Sequence, residues 1–341
     1  MNKFLKKLIQ NDNIINDYTD TQVIINQGLA PIVALSNPSL TLQKADLLEQ
    51  SKYINWQDKA TVLFNQLDQN GIRFLVFKGF AYSYLLYDQK HIRPYSDIDI
   101  LIDENDYKKT EKLFEELNYK RFPSRQGKFI SYQNSFYHSD SSQTIIDLHW
   151  QINNRLEIHP YFQFKQLYQT SVEIKSPDFK FKSLNTIDAF LLACFHYHGH
   201  RPEDRKHIWL YDLALLWHDI NTETQKECLK AAEIKQLSQI VDSLLSRLNK
   251  TFSLNIDLSQ RKTSTSEHTN TYLNNRKRKI SDVKIRFKNI KGFKNKILFL
   301  SEYIFQSTNY VKNRYNIKSN IVVYFYYPRM WTEDLFKLFK R

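Results

Sequence analysis

The chain has 341 residues, of which 42% are hydrophobic and 14% aromatic, and its formal net charge is +13. This length and composition predict a globular protein of two or three structural units and exclude a disordered or fibrous chain. No apolar run approaches the roughly 20 residues that span a bilayer, and the N-terminus lacks the features of a secretory signal. The two cysteines, Cys194 and Cys228, lack metal-ligand or redox spacing. We therefore expect a cytoplasmic protein.

The predicted elements begin with helices and then alternate between strands and helices. Apolar spacing in "QVIINQGLAPIVAL" and "YINWQDKATVLFNQLDQNG" predicts helices up to Gly71. The β-branched and aromatic run "IRFLVF" predicts a strand, after which Lys78-Gly79 turns the chain into a short helix over "FAYSYLLYD". A second strand over "SDIDILI" and an amphipathic helix over "ENDYKKTEKLFEELNY" follow.

Three more strands are predicted before the chain becomes helical again. They lie in "YKRFP", "GKFISYQNSFYHS" and "TIIDLHWQI", and the last two form a hairpin across "SDSSQ". From residue 184 onward, "LNTIDAFLLACFHYHGH", "RKHIWLYDLALLWHDI" and "TQKECLKAAEIKQLSQIVDSLLSRLNK" have helical apolar periodicity. The order predicts a sheet domain between two helical regions.

Two acids interrupt the second strand. In "SDIDILI", Asp97 and Asp99 alternate with apolar residues and therefore point to the same face. Two converging carboxylates require a cation or a shared proton, and a divalent metal is the simplest partner. The alternative is a strand end at which Asp97 caps a turn and Asp99 faces solvent.

A third acid lies on a later strand. In "QTIIDLHWQI", Asp147 and His149 share a face. Three carboxylates holding divalent ions are what phosphoryl or nucleotidyl transfer requires, because the ions activate a hydroxyl and neutralise charge on the phosphate. A structural aspartate at the end of a hairpin is the alternative.

The combined pattern resembles the superfamily of polymerase β-like and antibiotic nucleotidyltransferases, and more narrowly its bacterial group of uncharacterised nucleotidyltransferases. The segments that carry the resemblance are Lys78-Gly79, the run from Arg93 to Asp99 that reads "RPYSDID", and "DLHW" from Asp147. The resemblance covers about residues 50 to 220. It implies an α+β fold, a mixed sheet with helices on one side, flanked by N- and C-terminal helical lobes.

The predicted organisation has four segments. An N-terminal helical lobe (1–70) precedes the nucleotidyltransferase domain (71–180), a second helical lobe (181–260) closes the cleft, and a basic linker with a C-terminal helical segment (261–341) ends the chain.

The resemblance implies a metal-dependent transfer of a nucleoside monophosphate from a nucleoside triphosphate to an acceptor hydroxyl or phosphate, with pyrophosphate leaving. Asp97, Asp99 and Asp147 would hold Mg²⁺ or Mn²⁺, and Asp147 would also help to deprotonate the acceptor. The acceptor, a sugar phosphate, small molecule, RNA end or protein, is left open.

Phosphate binding is expected from residues near the acids. The usual Gly-Ser pair of the superfamily is absent, so Lys78 would supply a point charge, Gly79 a close backbone approach and Arg93 a two-point contact, with Ser96 beside them. The alternatives are an exposed lysine at a strand end and an ion pair between Arg93 and one of the aspartates.

Three histidines are possible substrate contacts. His196 and His200 lie four apart on a predicted helix and share a face, and His149 lies beside Asp147. The helical pair could also be polar residues at a packing surface, the favoured reading, and we expect Trp209 and Asp212 to serve helix packing and a hydrogen bond between helices.

The positive charge is confined to the C-terminal region. Residues 261 to 341 hold 19 Lys and Arg against 5 Asp and Glu, and the first 260 hold the remaining 30 against 31. The region could bind an anionic partner, RNA or membrane, or be a solvated linker followed by helices that pack on the body. A non-catalytic nucleotide-binding, nucleic-acid-binding or antitoxin-like partner-binding protein with the same fold is the alternative to the enzyme.

Overall fold

The computed structural model describes residues 3–12, 20–125, 127–156, 158–258, 283 and 286–339. The predicted linker "RKTSTSEHTNTYLNNRKRKISD" lies outside these residues. No helix within the described ranges is long and apolar enough to cross a bilayer.

In the part of the chain that the structure describes, seven strands form one mixed sheet in the order β3-β4-β5-β2-β1-β7-β6. Strands β3, β4 and β5 are paired antiparallel, β1 and β7 parallel, and β6 and β7 antiparallel. The predicted α+β class is confirmed. The strands are β1 (Phe74–Phe77), β2 (Ile98–Ile102), β3 (Tyr119–Arg121), β4 (Gln133–His138), β5 (Ser141–His149), β6 (Val172–Lys175) and β7 (Lys180–Ser183).

Most helices between Thr21 and Phe252 occupy regions in which the apolar periodicity predicts them, whereas the short helix at Phe164–Gln169 lies where no helix is predicted. Among the described residues, the helices before the sheet are α1 (Lys3–Asn11), α2 (Thr21–Asn26), α3 (Ala30–Ala34) and α4 (Leu40–Gln69). The helices that accompany the strands are α5 (Lys78–Leu86), α6 (Tyr107–Glu116) and α7 (Phe164–Gln169). The later helices with defined bounds are α8 (Thr186–Gly199), α9 (Ile208–His218), α10 (Thr222–Ile234), α11 (Ser238–Phe252), α12 (Phe293–Ile304), α13 (Thr308–Tyr315) and α14 (Tyr327–Phe339).

The chain divides into two compact units, and the division falls within β2. The first unit contains residues 1–100 and 165–273, and the second contains 101–164 and 274–341. This grouping differs from the four predicted segments, whose boundaries stay predictions.

The first unit is built around aromatic side chains from α4, α5 and the strands. The ring of Phe64 lies 5.4 Å from that of Phe74, 5.7 Å from Phe80 and 5.5 Å from Phe181. Burial of large aromatic surfaces is the main favourable contribution to such a core. Because α5 begins directly after β1, this packing fixes the turn that carries Lys78 and Gly79.

The second unit contains the three-stranded antiparallel part of the sheet and the C-terminal helices. Phe114 of α6 packs edge-on against Phe136 of β4, with ring centroids 5.0 Å apart. The predicted hairpin between β4 and β5 is confirmed, but the turn is shorter than "SDSSQ". His138 pairs with Ser141, so the backbone of residues 141–143 extends β5 instead of forming a loop.

The β6–β7 hairpin lies where the sequence analysis predicts no strands. Both strands have four residues, and three of the four residues of β6 are exposed. The alternation in "VEIK" spans only four residues, the lower limit of a strand pattern, and "KFKS" contains a single apolar residue, so both runs are weak strand signals.

Gly79 provides a specific test of the packing around α5. A Cβ atom at this position would lie 2.6 Å from Nη1 of Arg93 and 3.0 Å from Cβ of Tyr95. We expect Gly79→Ala to destabilise the protein by about 1–3 kcal/mol, the usual cost of overpacking, measured by urea denaturation. Arg93→Lys removes Nη1, so the double variant should lose less stability than the sum of the single changes. Strict additivity would contradict this explanation.

Candidate active site

The turn between β1 and α5 places Lys78 against an acid of β2. Lys78 has a φ of 57°, in the left-handed region that lysine rarely adopts. Its Nζ lies 2.6 Å from Oδ1 of Asp99, and the two side chains are 22% and 4% exposed. Lys78 is therefore the immediate counter-charge of Asp99, rather than an exposed lysine at a strand end.

The two acids of "SDIDILI" have different surroundings. Strand β2 begins at Ile98, so Asp97 lies in the preceding loop, where it is half-buried and accepts a hydrogen bond of 3.3 Å from Ser96 Oγ. Asp99 lies within the strand and is buried. Asp97 thus lies just before the strand rather than within it, and the shared orientation of the two acids stays a prediction.

Asp147 is held by side chains of the neighbouring strand. It pairs in register with Ser135 of β4 and accepts hydrogen bonds from Ser135 Oγ at 2.5 Å and from Gln133 Nε2 at 3.1 Å. Two donors fix the orientation of a half-buried carboxylate. His149, two residues further along β5, is buried.

Asp99, Asp147 and His149 form a group with the donor atoms of a metal site. Each offers one ligand atom, and these atoms lie within 4.8 Å of one another. Carboxylate oxygens suit hard divalent cations such as Mg²⁺ and Mn²⁺, and a neutral imidazole nitrogen is a further possible ligand. This group contains two of the three predicted acids, with His149 in place of Asp97.

Arg93 lies in a buried ion pair with Asp212 of α9. Its Nε lies 3.2 Å from both carboxylate oxygens and its Nη2 lies 2.6 Å from Oδ2, while Nη1 donates to the carbonyl of Pro94 at 2.8 Å. Tyr87 donates to the same carboxylate at 3.0 Å. Asp212 thus has a structural role, as predicted, but its partners are Tyr87, just after α5, and a loop residue rather than residues within another helix. The ion pair predicted as an alternative for Arg93 exists, but with Asp212 and not with Asp97 or Asp99.

The electrostatic balance of this pair favours its charged form. Burial alone acts to lower the pKa of Arg93, but the Asp212 carboxylate outweighs this and raises it above its ordinary value. Burial, and then the Asp212 charge, raises the pKa of Tyr87, so the tyrosine stays a neutral donor.

His196 and His200 form a cluster with Trp209. Their Nε2 atoms lie 3.1 Å apart, and their rings lie 4.6 and 4.8 Å from that of Trp209. Burial, followed by the positive charge of Lys78, lowers the pKa of His196 well below its ordinary value and also lowers that of His200. Both rings are therefore neutral near pH 7, and one of the two nitrogens in contact carries the proton.

The group of Asp99, Asp147 and His149 lies on β2 and β5, which are neighbours in the mixed sheet. The chain belongs to the family described as uncharacterised nucleotidyltransferase, whose model matches residues 29–253, or 225 of the 341 residues. The resemblance inferred from the sequence is confirmed. No curated protein matches the chain.

Several solved structures have similar folds at low identity. A lincomycin-bound lincosamide antibiotic adenylyltransferase, LnuA, is 17% identical, covers 46% of this chain and 92% of its own, and has a TM-score of 0.33. ANT(2")-Ia in complex with adenylyl-2"-tobramycin is 12% identical, covers 58% and 98%, and has a TM-score of 0.37. An antigenic nucleotidyltransferase-like protein from Paracoccidioides brasiliensis is 15% identical, covers 58% and 96%, and has a TM-score of 0.33. At TM-scores below 0.5, no inference about this chain follows from these likenesses.

The ion pair between Arg93 and Asp212 predicts a large loss of stability when one partner is removed. Asp212→Asn leaves the guanidinium buried without a counter-charge, so we expect a loss of about 3–5 kcal/mol by urea denaturation. Asp204→Asn is the matched control, because Asp204 pairs with Arg201 at the surface, where the side chains are 45% and 67% exposed. The control should lose less than about 1 kcal/mol. Equal losses would show that burial of the pair does not matter.

The neutral histidine pair predicts a stability that falls in acid. Below the ordinary histidine pKa of about 6.5, the unfolded chain binds protons that His196 and His200 do not bind in the folded state, so protonation favours unfolding. The free energy of unfolding should therefore decrease between pH 7.5 and 5.5, less steeply in the His196→Gln, His200→Gln double variant. Parallel pH profiles of wild type and variant would contradict the lowered pKa values.

Proposed function

We propose that the protein is a metal-dependent nucleotidyltransferase. It would transfer a nucleoside monophosphate from a nucleoside triphosphate to an acceptor hydroxyl or phosphate, with release of pyrophosphate. The observation that carries the proposal is the group of Asp99, Asp147 and His149 within the segment that the family model matches. A non-enzymatic binder of phosphates gains nothing from converging acids, because they repel its ligand.

The residues present fit a divalent cation. Asp99 and Asp147 would hold Mg²⁺ or Mn²⁺ through carboxylate oxygens, with His149 as a further ligand or a neighbour that orients them. Asp97, half-buried in the loop that enters β2, would complete the acidic set. When bound, the cation would supply charge neutralisation at the phosphate and lower the pKa of the attacking hydroxyl.

The protein's own residues would position the two substrates. An acceptor oxygen attacks the α-phosphorus, the bond to the bridging oxygen of the pyrophosphate breaks, and Asp147 is our candidate to accept the acceptor's proton. Ser135 and Gln133 hold Asp147 in one orientation for this role.

Lys78 would provide the positive charge for the triphosphate. In the structure, the Lys78 ammonium neutralises the Asp99 carboxylate. A cation bound at Asp99 would take over this neutralisation, so the ammonium would become available to a phosphate oxygen. Gly79 and the exposed Ser96 would complete the phosphate contacts. Arg93, because it is engaged by Asp212, is better described as a positioning residue for this turn.

Substitution of the acids tests the proposal. Asp99→Asn and Asp147→Asn keep the shape of the side chain and remove its charge, so we expect transfer to fall at least ~100-fold. Asp97→Asn tests the predicted third acid. The assay incubates the protein with each α-labelled triphosphate, Mn²⁺ or Mg²⁺ and a cell extract, and measures labelled product. The labelled product also identifies the acceptor class.

Controls separate a catalytic from a structural effect. Glu104→Gln changes an exposed acid shortly after β2 and should leave transfer unchanged. Melting temperatures of all variants establish that they are folded. Folded Asp99 and Asp147 variants with full activity would refute the proposed mechanism, and triphosphate binding without labelled product would favour the non-catalytic alternative.

A further inference from the structure

An exposed apolar face on α12 is the first observation that the proposed function does not explain. Phe293, Ile297, Leu300 and Ile304 are 78%, 51%, 43% and 43% exposed. Their spacing of four, three and four residues places them on one side of the helix. Phe299 is fully buried, with its ring 5.7 Å from that of Tyr303. The helix therefore packs through another side and exposes this apolar face.

Aromatic side chains extend this face beyond the end of α12. Phe305, 64% exposed, meets the ring of Trp331 edge-on at 5.9 Å, and Trp331 Nε1 donates to the carbonyl of Ile304 at 2.7 Å. Trp331 contacts Tyr327, which stacks on Tyr324. We call this set the aromatic surface; its exposed members are Phe293, Ile297, Leu300, Ile304, Phe305, Tyr324 and Trp331.

The charge around the aromatic surface is strongly positive. Residues 286–339 contain ten Lys and Arg (286, 288, 291, 294, 296, 312, 314, 318, 329 and 337) against three acids (302, 333 and 334), a balance of +7. Lys291, Lys294 and Lys318 are exposed. The segment is thus both apolar and basic on its accessible side.

The three acids of this segment are already engaged by the protein. Glu302 accepts hydrogen bonds from the backbone N–H groups of Lys128 and Phe129. Glu333 accepts from Arg329 and Arg314, and these bonds, that from Arg329 foremost, lower its pKa to about 2. Asp334 pairs with Arg125 and Arg314. The exposed lysines therefore dominate the charge presented to a partner.

We propose that the aromatic surface docks onto the surface of an anionic phospholipid bilayer. An exposed helical apolar face with lysines beside it is the arrangement by which helices lie in the headgroup region. Tryptophan and tyrosine favour this region because their rings are apolar and their N–H or O–H groups reach water. Lysines add attraction to anionic headgroups. This surface is independent of the proposed transfer reaction.

Vesicle sedimentation with the full-length protein tests the proposal. Vesicles of phosphatidylcholine alone are compared with vesicles that also contain phosphatidylglycerol, at low and high salt. We expect binding to the anionic vesicles, weakened by salt. Each lysine near such a surface contributes about a factor of five to the binding constant. The variant Lys291→Gln, Lys294→Gln, Lys318→Gln should therefore bind about 100-fold more weakly.

Matched variants separate the apolar and the charge contributions. Ile297→Ser, Leu300→Ser and Phe305→Ser together should abolish vesicle binding. The control is the triple variant Leu40→Ser, Leu47→Ser, Ile54→Ser, in which the changed side chains of α4 are 68%, 62% and 61% exposed. This variant should bind vesicles as the wild type does. The charge-matched control for the lysine variant is the triple variant Lys44→Gln, Lys108→Gln, Lys230→Gln. It should bind vesicles as the wild type does.

Four results would overturn the proposal. The first is equal binding to neutral and anionic vesicles, and the second is an equal loss of binding in the control variants. The third is that the protein does not bind vesicles but forms a dimer by light scattering, which the changes at Ile297, Leu300 and Phe305 dissociate. The fourth is that the protein does not bind vesicles but does bind single-stranded RNA. The third result would assign the surface to a second copy of the chain, and the fourth to nucleic acid. None of these results depends on whether the protein transfers nucleotides.

Discussion

The carboxylate of Asp99 lies within a strand whose five residues are all buried, and this buried charge determines how the surrounding residues are arranged. A carboxylate removed from water is strongly destabilising unless a cation or several donors compensate it. Lys78 supplies the compensation, but it does so from the residue that directly follows β1, with a backbone in the left-handed region. Lys78, the first residue after β1, therefore combines a strained backbone conformation with a partly buried ion pair to Asp99. Strain of this kind persists where the surrounding structure enforces it, and it is concentrated at functional sites.

The same requirement explains the second buried ion pair. The turn that carries Lys78 continues into α5, and Gly79 allows the guanidinium of Arg93 to approach the backbone more closely than any side chain would permit. That guanidinium is itself buried, and Asp212, Tyr87 and the Pro94 carbonyl satisfy it. Removal of either charge would leave its partner buried and uncompensated. A partly buried and a fully buried ion pair thus hold the β1–α5 turn and the loop before β2 in fixed positions, which is what the proposed phosphate-binding site requires.

Much of this arrangement was predictable from the sequence, because period-two and period-3.6 apolar patterns determine strands and helices locally. The strands at Phe74–Phe77 and Tyr119–Arg121 and the helices between Thr186 and Phe252 follow from such patterns. The β6–β7 hairpin was not predicted, because "VEIK" alternates over only four residues and "KFKS" contains a single apolar residue. The start of β2 at Ile98, two residues later than the predicted start at Ser96, is likewise invisible to alternation, because Asp97 continues the pattern without being in the strand.

Side-chain partners were less predictable than elements. The residue types at positions 78, 93, 99 and 147 marked the site, but the pairing of Arg93 with Asp212, 119 residues away, depends on which helix packs beside the loop. Local sequence contains no information about that distance, so the choice among several nearby acids was open. His149 is an example. Its position two residues after Asp147 placed it on the same strand face, but its proximity to Asp99 depends on β5 lying beside β2, which is set by the order of strands in the sheet. The pattern therefore identified the candidate residues, and the fold decided which of them are close enough to share one cation.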